Sequence, residues 1–391
     1  MPSIDENKLS PAKSASGGKI CVHIVTTLEL GGAQQNTLFT VTNMTDFSGV
    51  LIAGCEGIIE PSLVEVYRVK HLVRELNFFK DIAAFFLLYR LLRKIKPKIV
   101  HTHSSKAGIL GRWSAYLARV PVIIHTFHGF GFNDRQKASV RAKYIWAERM
   151  TAKISTALFA VSEKNVEKAL SLRICTGDKI SVVHSGIDMK RWEGRLSRSA
   201  AKKSFGIAAD IPVVGMAACF KEQKAPLDFI EIAYHVKKLN PGTKFIIVGD
   251  GILRGEIEKR IYKYRLGDDI ILAGWRPDIE AVLPAFDVNV LTSLWEGLPR
   301  VSLEAGVCLT PQVLSNVDGS AEIIEDGVTG YLVEPHDINT FVSRIDYLIK
   351  NPEEGRVFAH RLRKKLVGDF DIRGMVRLIE QKYREIMNSK N

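Results

Sequence analysis

The sequence predicts an α/β protein built from two parallel-sheet domains. Three observations lead there. Short apolar runs of strand length alternate with helical patterns along most of the chain, which is how sheets covered by helices on both faces read. Near Asp188–Ser204 (DMKRWEGRLSRSAAKKS) the apolar period fades, and the pattern then restarts. The length of 391 residues also suits two domains.

The elements follow in order. Residues 1–18 (MPSIDENKLSPAKSASGG) are small and polar and are expected to form a flexible leader. In the first half, strands are predicted at Lys19–Thr26, Val50–Gly54, Lys98–His103, Val122–His128, Ala157–Ser162 and Lys179–Ser185. Helical patterns between them include Ala33–Asn43, Asp81–Lys96, Lys106–Ala118 and Gln136–Lys153. Asp188–Ser204 is the expected linker. Beyond it, strands are predicted at Val213–Ala218, Lys244–Gly249, Ile270–Gly274, Val288–Thr292, Gln312–Ser315 and Gly330–Val333. Helical stretches near 227–239, 337–349, 353–366 and 371–388 complete the pattern. The expected domains are 19–195 and 196–370. Two such domains leave a cleft, and ligands of parallel sheets bind beyond the C-terminal strand ends.

Composition narrows the class. Apolar residues make up 46% and charged residues 25%, ordinary values for a globular protein. The greasiest run, Ala83–Tyr89, is seven residues long, far short of a membrane span, and no signal-peptide pattern is expected at the N-terminus. Cys21, Cys55, Cys175, Cys219 and Cys308 form no CxxC pair, so neither a disulfide framework nor a zinc site is expected, and a cytoplasmic location fits. The net charge of +12 lies wholly in residues 1–195, which hold 28 Lys+Arg against 16 Asp+Glu. Nucleic acid, an anionic membrane surface or a phosphorylated substrate would each suit that excess.

Six motifs follow strands. Leu30-Gly31-Gly32-Ala33-Gln34-Gln35 opens a helix; Gly32 lets backbone approach a ligand, although a plain tight turn reads the same way. It is not a GxGxxG. His101-Thr102-His103-Ser104-Ser105-Lys106 places two histidines on one strand face; metal would need a third ligand, none is evident, and a polar wall of the cleft is the better reading. In His125-Thr126-Phe127-His128-Gly129-Phe130, His128 stands at a strand end before a glycine-aromatic loop, whereas His125 lies within the strand and reads as core. Phe220-Lys221-Glu222-Gln223-Lys224-Ala225-Pro226 sets lysines before a helix N-terminus, a phosphate-suited position, with a solvated lysine pair as the bland reading. Val248-Gly249-Asp250-Gly251 is a glycine turn that would admit a base or ribose, or be only a turn.

The sixth motif, Trp295-Glu296-Gly297-Leu298-Pro299-Arg300-Val301-Ser302-Leu303-Glu304-Ala305, is the most informative. Seven residues separate two carboxylates, with a Gly-Leu-Pro-Arg turn between them. Backbone amides at that helix start suit a diphosphate, and acids on either side suit sugar hydroxyls. The layout fits a nucleotide sugar.

At these residues the chain resembles family 4 glycosyltransferases of the GT-B fold, in which two Rossmann-like domains face each other across a cleft. Glu296-x7-Glu304 matches the family's EX7E motif, and the run Asp318-Gly319-Ser320-Ala321-Glu322 with Gly327-Val328-Thr329-Gly330 is also similar to it. The N-terminal motifs look like those of bacterial capsule, exopolysaccharide and O-antigen transferases. The resemblance implies retaining transfer from a nucleoside-diphosphate sugar, UDP by preference, to a glycan or lipid-linked saccharide. It implies a hexosyltransferase with no metal and no cofactor. It puts the donor on the C-terminal domain and the acceptor on the N-terminal one, with a last helix, about 371–391, returning to the latter. Carried over residue by residue, Glu296 would hold the hexose, Glu304 the ribose, and Lys224 the diphosphate. Lys221, Gly249, Gly251, Gly297, Leu298, Pro299 and Arg300 complete the donor side, with Gly32 reaching the phosphate from the other domain. His128 would sit by the reacting sugar and is expected, with Glu296 and Lys224, to be catalytic. His103, Lys106 and Phe130 are expected on the acceptor side. Many members carry an arginine where this chain has Cys219, so Lys221 or Arg300 would have to supply the second cation.

Other readings stand beside this one. An NAD(P)-dependent or epimerase-type enzyme would need a GxGxxG and a placed YxxxK pair, which the chain lacks. A GT-B relative that hydrolyses or epimerises nucleotide sugars shares the same motifs. A nucleic-acid binder would use the basic half, but no RRM, KH or zinc-finger signature accompanies it, so no nucleic-acid partner is expected. Asp369-Phe370-Asp371 reads as a helix start rather than a metal-binding DxD. The stretch Phe78–Lys96 is apolar and then cationic. It suits a core helix or one resting on an anionic membrane, which would place the protein peripherally on the inner face of the cytoplasmic membrane.

Overall fold

The structure, a computed structural model, describes residues 19–29, 31–57, 64–133, 135–194 and 196–389. The expected leader, 1–18, and Leu30 lie outside the described residues. The chain divides into two compact units. One holds the residues up to Gly186 together with Ile372–Asn391, and the other is Ile187–Asp371.

The first unit runs β1 (Lys19–Val25), α1 (Gly32–Asn43), β2 (Phe47–Gly54), β3 (Glu65–Val69), α2 (Phe78–Ile95), β4 (Ile99–His103), α3 (Ser105–Leu117), β5 (Val122–Phe127), α4 (Ala138–Ile154), β6 (Ala157–Ala160), α5 (Glu163–Ser171) and β7 (Ile180–Val182). Its seven strands, all paired in parallel, are ordered β3-β2-β1-β4-β5-β6-β7. The order reverses between β1 and β4. At such a point neighbouring connections leave in opposite directions and open a crevice at the strand ends.

The second unit runs α6 (Arg198–Ser204), β8 (Val213–Ala217), α7 (Pro226–Leu239), β9 (Lys244–Val248), α8 (Arg254–Lys263), β10 (Ile270–Gly274), α9 (Ile279–Val282), β11 (Val288–Leu291), α10 (Arg300–Val307), β12 (Gln312–Ser315), α11 (Ser320–Ile323), β13 (Tyr331–Val333), α12 (Ile338–Lys350) and α13 (Pro352–Asp369). The six strands are ordered β10-β9-β8-β11-β12-β13, again parallel, with the reversal between β8 and β11.

The last helix, α14 (Ile372–Asn388), belongs to the first unit. Its residues Ile372, Met375, Val376, Ile379 and Tyr383 join Cys21, Phe47, Ile99, Val122, Ile124 and Phe159 in one apolar cluster. The spacing of those five residues is helical, so a single stripe faces the sheet. Glu380, buried beside that stripe, accepts hydrogen bonds from the backbone N–H groups of Thr45 at 2.7 Å and Asp46 at 2.8 Å. The carboxylate thereby pins the turn that leads into β2.

Four expectations need correction. The unit boundary falls after Gly186 rather than after 195. The Ile187 N–H donates to Phe370 O at 2.8 Å, and Arg191 pairs with Glu280 at 2.8 Å, so residues from 187 onward belong to the second unit. The segment 188–204 is no loose linker. Trp192 is buried, Ser197 caps α6, and the buried Lys202 pairs with Asp287 at 2.7 Å. The edge strand β3 (EVYRV) went unpredicted because charged residues interrupt its apolar pattern. Helix α2 begins three residues before Asp81, because the Asn77 side chain accepts from Lys80 N–H at 3.0 Å and caps it. Asp369 ends α13, and Asp371 bridges to Ile187 ahead of α14.

Replacing Glu380 with alanine should lower stability by about 1–3 kcal/mol, because two backbone amides lose a charged acceptor. Urea unfolding followed by tryptophan fluorescence checks this, and an unchanged midpoint would contradict it.

Candidate active site

The donor-side residues gather at the strand reversal of the second unit. Strands β8 and β11 are neighbours, and the loops that follow them are laced together. The Thr292 hydroxyl lies 2.9 Å from the carbonyl oxygens of both Lys224 and Ala225. Leu294 N–H donates to Gln223 O at 2.8 Å, and Gln223 Nε2 returns a bond to Trp295 O at 2.8 Å. Ala225 adopts φ +40°, which turns the chain from the Glu222–Lys224 turn into α7, with Pro226 preset at its first position. The consequence is that Lys224 Nζ donates to the Glu296 carboxylate.

Glu296 is held from three sides. Its Oε1 takes Lys224 and also the Ser293 hydroxyl at 2.6 Å, while its backbone N–H donates to Asp318 Oδ2 at 2.7 Å. Among the described residues both side-chain contacts fall on Oε1, so Oε2 keeps its acceptor capacity. The Lys224 and Glu296 side chains are 17% and 7% exposed. Removing either partner of so enclosed a pair strands a charge, at a cost of roughly 3–5 kcal/mol. Eight residues on, Glu304 Oε1 accepts from Arg300 Nε at 2.9 Å, one helical turn apart on α10. Pro299 precedes α10; in its first turn Ser302 N–H bonds back to Pro299 O at 3.0 Å, and the amides before it have no intrahelical acceptor.

Two glycine contacts shape the surround. A Cβ on Gly319 would lie 2.3 Å from Gly297 O, so the loop after β12 can close on the Glu296 loop only with glycine there. Gly249, at φ +127°, sits against Ala218 O, where a Cβ would lie at 2.0 Å. Gly251 packs similarly against Phe220, and the Arg254–Asp250 pair at 2.9 Å starts α8 beside it. Lys221 precedes the Glu222–Lys224 turn, and Cys219 is partly exposed in the same loop.

The N-terminal residues gather at the other reversal, between β1 and β4. Thr26 at the end of β1 shares a 2.8 Å hydroxyl contact with Ser104 at the end of β4. Below it lie histidines. His103 Nε2 is 3.0 Å from His23 Nδ1, and His103 Nδ1 is 3.0 Å from His128 Nε2. His101 Nδ1 is 2.5 Å from the Tyr383 hydroxyl, and its Nε2 is 2.7 Å from Thr126 Oγ1. Burial keeps these rings neutral: it pushes His23 down to about 3 and His128 to about 4, and holds His101 and His103 well below the usual range. His125 is buried with Nδ1 2.9 Å from Thr102 Oγ1, a core position.

The expectation that His101 and His103 lack a third partner is therefore corrected. One ring nitrogen each of His23, His101 and His103 lies within 4.8 Å of the others. His23 was missed because it stands on β1, and strand pairing alone brings it beside His101. Lys106 is tied down rather than open: it pairs with Asp81 at 2.6 Å and bonds Glu75 O. Phe130 packs on Phe127 and Phe132, with ring centroids 4.9 and 5.0 Å away. Gly32 is the first residue of α1. Asp318, Thr292, Ser293, Gln223 and Tyr383 also carry the site's geometry. Asp318 and Gln223 lay within motifs the sequence shows, whereas Tyr383 lies 282 residues from its partner His101.

Known proteins share this organisation. The family model for Glycosyltransferase Family 4 matches residues 28–191, and that for Glycosyl transferases group 1 matches residues 197–365. The UDP-Gal:alpha-D-GlcNAc-diphosphoundecaprenol alpha-1,3-galactosyltransferase of Escherichia coli is 35% identical over 334 residues, 84% of this chain and 85% of that protein. The capsular polysaccharide biosynthesis glycosyltransferase CapM of Staphylococcus aureus is 22% identical over 83% of this chain and 86% of its own. Among solved structures, HepE of Anabaena in complex with UDP and glucose superposes with a TM-score of 0.80 at 18% identity, covering 94% of this chain and 99% of that one. Sucrose-phosphate synthase of Thermosynechococcus elongatus also gives 0.80 at 18% identity, covering 95% and 100%. With two parallel-sheet units of the GT-B type, and with motifs and relatives that agree along most of its length, the chain belongs to glycosyltransferase family 4.

Proposed function

We propose that this protein transfers a hexose, with retention of configuration, from a UDP-sugar to a lipid-linked saccharide during synthesis of a surface polysaccharide. One observation carries the reading: Lys224, Glu296, Arg300 and Glu304 converge where β8 and β11 part, beside the start of α10. The 35% identical relative is named for a UDP-galactose donor and a diphosphoundecaprenol-linked acceptor, and HepE was solved with UDP and glucose. The first supports the assignment of donor and acceptor, the second that of a UDP donor.

The chemistry follows from charge. As the sugar–phosphate bond breaks, the diphosphate gains negative charge and the anomeric carbon gains positive character. Lys224 and the first amides of α10 meet the phosphate charge, so no metal is called on. A preorganised donor of this kind is worth about 3–4 kcal/mol of barrier. Lys221 or Arg300 supplies the second cation where many relatives have arginine. Glu296 receives a hexose hydroxyl on Oε2, and Glu304 a ribose hydroxyl. The acceptor hydroxyl enters on the face the diphosphate leaves, and its proton passes to a departing phosphate oxygen. In the N-terminal unit, His128 would meet a hydroxyl of the sugar substrates.

The acceptor's lipid suggests a membrane surface. Along α2, Phe79, Ile82 and Phe86 are exposed at helical spacing, with Phe78 and Leu76 exposed at its start and Arg90, Arg93 and Lys94 further along. No helix among the described residues is long and apolar enough to cross a membrane. An apolar stripe that leads into cations suits the headgroup layer of an anionic bilayer. The protein would then work peripherally at the cytoplasmic face.

Replacing Glu296 with glutamine should lower turnover about 10²-fold or more while the fold persists. Radiolabelled sugar transfer to a polyprenyl-diphosphate saccharide checks this, and an undiminished rate would refute the role. In flotation assays the protein should rise with vesicles containing phosphatidylglycerol at low salt, and a variant carrying Phe79→Ser and Phe86→Ser should not. A wild-type protein that stays at the bottom would remove the membrane reading.

A further inference from the structure

The histidines at the β1–β4 reversal form a single file of hydrogen bonds. Read from its deep end, the file runs Thr126 Oγ1, His101, Tyr383 Oη, His23, His103, His128. The successive separations are 2.7, 2.5, 3.4, 3.0 and 3.0 Å. Each internal ring spends both nitrogens on its neighbours. A neutral imidazole carries one N–H and one lone pair. From His23 through His103 to His128 the file is therefore directional: fixing one hydrogen there fixes all three rings.

Tyr383 sets the direction. Its hydroxyl has one hydrogen and three neighbours: His101 Nδ1 at 2.5 Å, His23 Nε2 at 3.4 Å and the buried Cys21 thiol, whose S–H is free to donate to the same oxygen. A phenol O–H, with a pKa of about 10, is a far better donor than a neutral imidazole N–H. The short contact is then O–H to His101 Nδ1, and His101 donates from Nε2 to Thr126. Tyr383 accepts from His23 Nε2–H. His23 Nδ1 accepts from His103 Nε2–H, and His103 Nδ1 accepts from His128 Nε2–H. Among the described residues no group bonds His128 Nδ1.

We propose that this file is a tautomer lock. Tyr383 and His101, acting through His23 and His103, hold His128 as its Nε2–H form, so that Nδ1 offers a lone pair to a hydroxyl of the sugar substrates. His23, His103 and Tyr383 are thus positioning residues. The inference rests on His128 lying at the reacting sugar and adds which of its atoms acts. It also gives α14 a part in the site, since that helix supplies Tyr383.

The test is long-range ¹H–¹⁵N correlation NMR on the full chain with ¹⁵N-histidine at neutral pH, together with donor kinetics. In the wild type, the His128 Nδ1 resonance should be that of an unprotonated ring nitrogen. Tyr383→Phe removes the setting hydrogen and should leave His128 a mixture of tautomers. That variant should lower kcat about ten- to hundredfold, the usual loss when the partner orienting a working histidine is removed, with the donor KM unchanged. His103→Leu should do the same. If Tyr383→Phe does not fold, the wild-type spectrum alone decides. A protonated Nδ1 or a mixed signal there overturns the lock, as does tightly bound stoichiometric zinc in the purified protein. Transfer that His128→Ala leaves unchanged would instead remove the role of His128, whatever the tautomer.

Discussion

The contact between Lys224 and Glu296 is the constraint on which the donor-side arrangement depends. Neither residue reaches the other by sequence proximity or helical spacing. They meet because β8 and β11 lie side by side at a reversal of strand order, and because Thr292, Leu294 and Gln223 tie the two outgoing loops into one body. A lysine and a carboxylate brought together with little solvent are each costly alone and tolerable as a pair. A diphosphate that recruits Lys224 would loosen its hold on Glu296 as a sugar hydroxyl arrives at the same carboxylate. Donor binding and carboxylate release would thereby be coupled through one ammonium group.

The same topological device recurs in the first unit with different chemistry. There the reversal between β1 and β4 collects histidines instead of a cation and a carboxylate. Burial keeps the rings neutral, so they would act through hydrogen-bond direction and not through charge. The two units share an architecture and divide the tasks. Under the proposed function one would deal with the charge of a leaving group, the other with the placement of hydroxyl hydrogens.

Much of this was legible in the sequence, for physical reasons that can be named. Parallel strands buried on both faces read as continuous apolar runs, so β1, β4, β5, β8, β9 and β11 stand out. Ligand residues sit at strand ends, so the loops holding Lys224, Glu296 and His128 could be found by position. What stayed hidden depends on three dimensions. The strand β3 alternates charge with apolar residues at an edge. The stretch 188–204 looks polar although Trp192 and Lys202 are buried, because a lysine's partner, Asp287, lies far along the chain. His23 looked like one polar interruption of a strand, and Tyr383 like one aromatic on a helix stripe. Only the packing of α14 beneath the first sheet shows why both are there.

The most direct test of the central claim is calorimetric titration of UDP and of uridine into the wild type and Lys224→Gln. If Lys224 meets the diphosphate, the variant should lose UDP affinity about ten- to hundredfold, the usual worth of a charge-assisted hydrogen bond, and keep its uridine affinity. Equal UDP affinity in the two proteins would contradict the assignment.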